Sequence, residues 1–192
     1  GDKHVTWIHN VLNMDAIMCV DDIECKKGLQ VLTSVAGQET LARRYGIAEA
    51  KLQQLASIFG ISGVCNVLGA IKTAKHYQFG KRDVIVTICT DAIDRYHSVM
   101  TEMAEQYGAI DDARAMAYVE AIFHAAKTDW IKDGTPDARR QWHNLKYFTW
   151  VEQQGKTVEG LDVQRDPEWW IRHQQLIPEM DARIAAVRTE QA

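Results

Sequence analysis

Val84-Ile85-Val86-Thr87-Ile88-Cys89 is the run whose reading decides the fold. Its density of β-branched residues predicts a strand, the strongest such signal in the chain. A polar turn, Gly80-Lys81-Arg82-Asp83, precedes it, and Thr90-Asp91-Ala92-Ile93-Asp94-Arg95-Tyr96 follows. Asp91 would then stand at the C-terminal end of a strand, where open α/β sheets bind their ligands. Upstream, the spacing predicts a helix over residues 66–77, with Val67, Leu68, Ile71 and Ala74 on one face and Lys72, Lys75 and His76 off it. That helix is entered through Gly60-Ile61-Ser62-Gly63-Val64-Cys65-Asn66. The two glycines let backbone come close, and Ser62 is placed to cap the helix. Together the two loops read as the walls around one small anionic, aromatic ligand.

Farther toward the N-terminus, Val5-Thr6-Trp7-Ile8 and Ala16-Ile17-Met18-Cys19-Val20 read as short extended segments. The second is almost wholly apolar, which suits a strand buried on both faces of a parallel sheet. Helical spacing follows over residues 27–36, over 39–45 after Gly37, and over 51–59. Beyond the Tyr96 loop the pattern changes to helix: 98–107, 111–127, 136–145 and 168–188, with a less regular link at 153–166. Thr135-Pro136 supplies an N-cap and a proline at the first helical position. The order therefore predicts an α/β portion over residues 1–100, an open, mostly parallel sheet with flanking helices, and a helical extension over 101–192. Two or three strands would leave sheet edges with unpaired backbone, so the chain is expected to complete a sheet begun by another polypeptide. A self-contained α-rich domain is the competing architecture.

Composition narrows the class. The 192 residues are 46% hydrophobic with a net charge of −4 and no basic stripe, which describes a globular protein and argues against a nucleic-acid surface. No apolar run approaches the roughly 20 residues of a membrane span. No basic start followed by an apolar core marks a signal peptide, so a cytoplasmic location is expected. Cys19, Cys25, Cys65 and Cys89 form no CxxC pair and fall in or beside apolar segments. That spacing suits neither a zinc site nor a disulfide framework, and the thiols are expected reduced and mostly buried.

The GIS turn, Gly60-Ile61-Ser62, followed in order by helix, strand and the acidic-Arg-Tyr triplet Asp94-Arg95-Tyr96, resembles the C-terminal half of the fold-type II pyridoxal-phosphate enzymes, the cysteine synthase and tryptophan synthase β-like family. Gly1-Asp2-Lys3-His4 is similar to the end of that family's glycine-containing loop. The resemblance implies pyridoxal 5'-phosphate as cofactor, with Asp91, Thr90, Gly60, Ser62 and Gly1 at the cofactor cleft. It puts Asp91 where relatives usually carry the Ser or Thr that contacts the pyridine nitrogen. A carboxylate there would hold a protonated ring nitrogen through a charge-assisted hydrogen bond, and a protonated ring better stabilises negative charge at the substrate Cα. The implied chemistry is β-elimination, β-replacement or ammonia loss on an amino acid.

Two parts that the family requires have no counterpart here. No lysine fits the Schiff-base position, and no glycine- and threonine-rich phosphate loop occurs. The resemblance thus implies an oligomer in which another chain, or a missing N-terminal half of a longer one, supplies both. This chain would be a natural split subunit, a proteolytic product or a truncated piece that alone would be inactive. Plainer readings stand beside these: Asp91 as a helix N-cap, Ser62 as only a helix cap, and Lys3 and His4 as surface residues. The aromatic tail, with Trp142, Trp150, Trp169 and Trp170, suits either an interface or packing within its own domain. It also supports a non-catalytic interaction or regulatory chain as the rival function. A hydrolase built on His97, His124 or His143 lacks any supporting motif.

Overall fold

The structure is a computed structural model and describes residues 10–190. Residues 84–89 form no strand in it. They run without regular secondary structure and with no strand partner among the described residues, and Val84, Val86 and Ile88 are largely exposed. The only sheet among the described residues is a two-stranded antiparallel one, β1 (Ala16–Met18) and β2 (Ile131–Asp133). The expected α/β fold, an open and mostly parallel sheet with flanking helices, is therefore wrong for this structure. The physical reason is that β-branched residues favour a strand only when a neighbouring strand supplies the ladder and a face to pack on. Here the two strands among the described residues pair with each other and neither pairs with the run. Gly1 and the expected strand Val5-Thr6-Trp7-Ile8 lie outside the described residues.

The chain divides into two compact units: Met18–Ile131, and the flanking segments up to Ile17 and from Lys132 onward. The first unit is helical. Asp21 caps α1 (Asp22–Thr33), its carboxylate accepting the Glu24 N–H at 3.0 Å, so the helix begins five residues ahead of the expected 27. Ser34 ends α1 and caps α2 (Val35–Tyr45), accepting the Gly37 N–H. The break falls at Ser34, so Gly37 lies inside α2 instead of parting two helices as its spacing suggested. Next come α3 (Glu49–Ile58), α4 (Ile61–His76), α5 (His97–Tyr107) and α6 (Asp112–Tyr118), the last continuing as a π-helical turn, Val119–His124.

Cys25 and Leu29 of α1 meet Val64 and Leu68 of α4, with Ile122 closing the cluster. Each such fully buried aliphatic side chain contributes about 1.5–3 kcal/mol. The helices approach closely because α1 carries Gly28, where an added Cβ would lie 2.8 Å from a Val64 methyl. A second cluster, Val31, Leu41, Leu52 and Val119, joins α1, α2, α3 and the π-turn. Of the four thiols only Cys25 is fully buried; Cys65 is half-buried and Cys19 and Cys89 are exposed, against the expectation of mostly buried thiols. No single helix among the described residues is long and apolar enough to cross a membrane.

The second unit is built on α7 (Pro136–Tyr147), which starts as the Thr135-Pro136 signal predicts: the Thr135 hydroxyl accepts the Ala138 N–H at 3.2 Å. A π-turn (Phe148–Gln153), α8 (Val158–Asp162) and a 3-10 turn (Val163–Arg165) follow. The helix expected over 168–188 is two helices, α9 (Pro167–Gln175) and α10 (Ile177–Glu190). Ala138 and Trp142 of α7 pack on Val11, from the 3-10 turn Val11–Asn13.

Candidate functional site

Helix α3 ends at Ile58 and α4 begins at Ile61, with a bend of 111° between their axes. The bend forces residue 60 against a second loop, and only glycine fits there. An added Cβ would lie 2.3 Å from a carboxylate oxygen of Asp91 and 2.7 Å from the Tyr96 ring. The Gly60 backbone is extended, at φ −106°, so the demand for glycine comes from these neighbours and not from the dihedral. The loop after residue 89 is thus folded onto the start of α4, helped by Asn66, whose side-chain amide donates to the Ile88 carbonyl at 2.8 Å.

Asp91 is half-buried and accepts the Tyr96 hydroxyl in a short hydrogen bond. Thr90, exposed, places its hydroxyl 3.4 Å from the same carboxylate. The Ser62 hydroxyl hydrogen-bonds to Tyr96 from the first turn of α4. Tyr96 is held above the usual phenol range, first because its proton is shared with Asp91, then because the ring is partly desolvated and a phenolate would face a carboxylate; Ser62 and Arg95 oppose this. The positive end of the α4 dipole also lies beside the negative Asp91, a favourable arrangement.

Four residues singled out from the sequence, Gly60, Ser62, Thr90 and Asp91, therefore meet in one cluster. Their local roles differ from those expected. Asp91 leaves no strand and caps no helix; Ala92 precedes the 3-10 turn Ile93–Arg95. Ser62 does not cap α4 either, since Gly60 occupies the cap position without a side-chain bond. Gly1, with Lys3 and His4, lies outside the described residues.

The cluster fits pyridoxal 5'-phosphate at one end. A carboxylate offers about four acceptor positions, and Tyr96 and Thr90 occupy two, so Asp91 keeps room to accept from a protonated ring nitrogen. None of the cluster's residues is a lysine, and nothing in it gathers the donors a phosphate needs. Lys72 was expected on the solvent side of its helix, yet it is only 6% exposed. Its amine donates to the Cys19 carbonyl at 2.7 Å and pairs with Asp129 at 3.3 Å, lining a cavity of about 370 Å3. Lys75 donates to the His124 and Ala126 carbonyls. Both amines are thus committed to holding this unit together.

Sequence reasoning did not anticipate the burial of three ionisable side chains, Lys72, Lys146 and His143, the last of which it named only in the hydrolase reading. The Lys146 amine donates to the Gln164 side chain at 3.0 Å and lies 5.0 Å from the Trp170 ring centre; burial pushes it down to about 8. Cys25 and Cys65 form a hydrogen-bonded thiol pair in which Cys25 is pushed up, by the bond to Cys65 first and by burial second. No protein-family model, curated protein or solved structure matches the chain.

Proposed function

We propose that this chain supplies the ring-nitrogen side of a pyridoxal 5'-phosphate site in an assembly that acts on an amino acid by β-elimination, β-replacement or ammonia loss. The observation that carries the reading is the seating of Asp91 between Gly60 and Tyr96, two points 36 positions apart in the chain. When bound, the cofactor supplies an electron-withdrawing ring. Asp91 would accept a hydrogen bond from the protonated ring nitrogen and so keep the proton on that nitrogen; the Tyr96 hydroxyl, donating to Asp91, fixes the carboxylate's rotamer. Gly60 lets Asp91 and Tyr96 come close where a side chain would collide with both, and Ser62 steadies Tyr96.

A lysine and a phosphate cradle would come from a second polypeptide. The exposed β-branched segment beside Asp91 supports a partner there, because large apolar side chains left open to water mark interaction sites. The test is Asp91→Ala in the native assembly. Losing a hydrogen bond to a charged group worth about 1.5–3 kcal/mol predicts a fall in turnover of about 10- to 100-fold, with the cofactor still attached. Unchanged turnover would remove Asp91 from the role.

A second reading, a non-catalytic interaction or regulatory chain, is favoured by α10. Its Ile177, Met180, Ile184 and Val187 recur at spacings of three and four, and each is 51–58% exposed. Stable folding of the isolated chain, together with indifference of its partner's activity to Asp91→Ala, would favour that reading.

A further inference from the structure

The unit that holds α7 contains a cavity of about 300 Å3 which the reading above does not use. Arg139, Arg140 and His143 reach it from adjoining turns of α7, and Arg165 from the 3-10 turn that follows α8. Val11 and Leu12 supply an apolar wall. His143 is 2% exposed, yet neither ring nitrogen has a hydrogen-bond partner among the described residues. The nearest carboxylate, Asp162, stands 3.9 Å from Nε2, beyond hydrogen-bond reach. Buried polar nitrogens are almost always satisfied, so an orphaned pair lining a cavity points to a missing partner.

The guanidinium groups are anchored but not used up. Arg139 donates to the Met14 carbonyl at 3.1 Å and lies 3.5 Å from Asp15. Arg140 pairs with Asp137 at 2.8 Å, while Arg165 pairs with Asp162 at 3.0 Å and donates to Asn144 at 2.7 Å. Each guanidinium has five N–H donors, so donors remain on all three. The three partner aspartates fix the forks in place and leave the cavity to a ligand that brings its own negative charge.

We propose that this cavity binds a small oxyanion, a carboxylate or a phosphate monoester, carrying a short apolar body. Arg139, Arg140 and Arg165 hold the oxyanion, His143 hydrogen-bonds to it, and Val11 and Leu12 cover the apolar part. In the free protein burial pushes His143 down to about 4; Arg165 and Lys146 also disfavour its charge, and Asp162 alone favours it. A seated anion adds a second favourable charge, so binding takes up a proton and tightens toward acid pH.

The experiment is a titration of the whole chain with butyrate, n-butyl phosphate, n-butanol and n-butylamine, read on the His143 ring NMR signals, which His143→Gln identifies. One or both anions should shift those signals saturably, more tightly at pH 5.5 than at pH 8. The tighter of the two identifies the head group. Arg140→Gln, whose fork is exposed and bonded, among the described residues, to Asp137, should weaken binding about tenfold while leaving the fold's other signals unchanged. No saturable shift with either anion, equal affinity for n-butanol, or an unaffected Arg140→Gln variant would overturn the proposal.

Discussion

Gly60→Ala probes the cluster through one added methyl group. The new Cβ would stand 2.3 Å from an Asp91 oxygen and 2.7 Å from the Tyr96 ring. Ordinary van der Waals contact needs about 3.5 Å, so the carboxylate must retreat by about 1 Å, and the ring must retreat as well. Both cannot move while the Tyr96 hydroxyl keeps its hold on Asp91. Overpacking costs about 1–3 kcal/mol and the hydrogen bond to a charged acceptor about 1.5–3 kcal/mol; because relief of one breaks the other, we expect about 2–3 kcal/mol in all. The assay is urea unfolding of four proteins: the parent, Gly60→Ala, Tyr96→Phe and the double variant. In the parent, Tyr96→Phe should cost about 1–2 kcal/mol, and in the Gly60→Ala background close to nothing. Additivity within about 0.5 kcal/mol, or a Gly60→Ala cost under about 0.5 kcal/mol, would refute the reasoning.

Further expectations concern the buried polar groups. His143 sits at about 4 when folded against a usual 6.5, so between those values the unfolded chain binds the extra proton. The stability it contributes is complete above pH 6.5 and is lost as the pH falls toward 4, by roughly 3 kcal/mol. His143→Phe should flatten that stretch of the stability–pH curve, and an unaltered slope would contradict the assignment. Lys146, at about 8 against 10.5, gives a rise in stability as pH climbs from 8 to 10.5. The paired change Lys146→Met with Gln164→Leu should abolish that rise and be neutral or stabilising by about 1–4 kcal/mol at pH 7, measured by denaturant unfolding.

What the sequence made legible was that helices occupy most of these segments, while α1, α2 and α4 begin at 22, 35 and 61, four or five residues ahead of the expected 27, 39 and 66. Thr135-Pro136, Asp21 and the break at Gly60 act through their own backbone and side chains, so neighbours in sequence suffice to read them. The strand expected at residues 84–89 failed for the opposite reason: a strand exists only with a partner, and local composition says nothing about who pairs with whom. The Gly60–Asp91 meeting was legible only as an ordered pair of motifs, without the Tyr96 hydrogen bond that fixes it. Lys72 and Lys146 were invisible because an apolar lysine stem can be buried from a polar helix position when its amine finds a carbonyl, carboxylate or amide. His143 reads like any surface histidine in an Arg-rich helix, since nothing local announces that Val11 and the turn at Arg165 will enclose it.

The proposed role, a wall on one side of a cofactor held by another polypeptide, has a direct mass signature. The most direct measurement is the intact mass of every chain in the native assembly after borohydride reduction. The account predicts a second polypeptide bearing one pyridoxyl-phosphate adduct beside this chain without one. An assembly in which no chain carries the adduct, or in which this chain carries it on a lysine of its own, would contradict it.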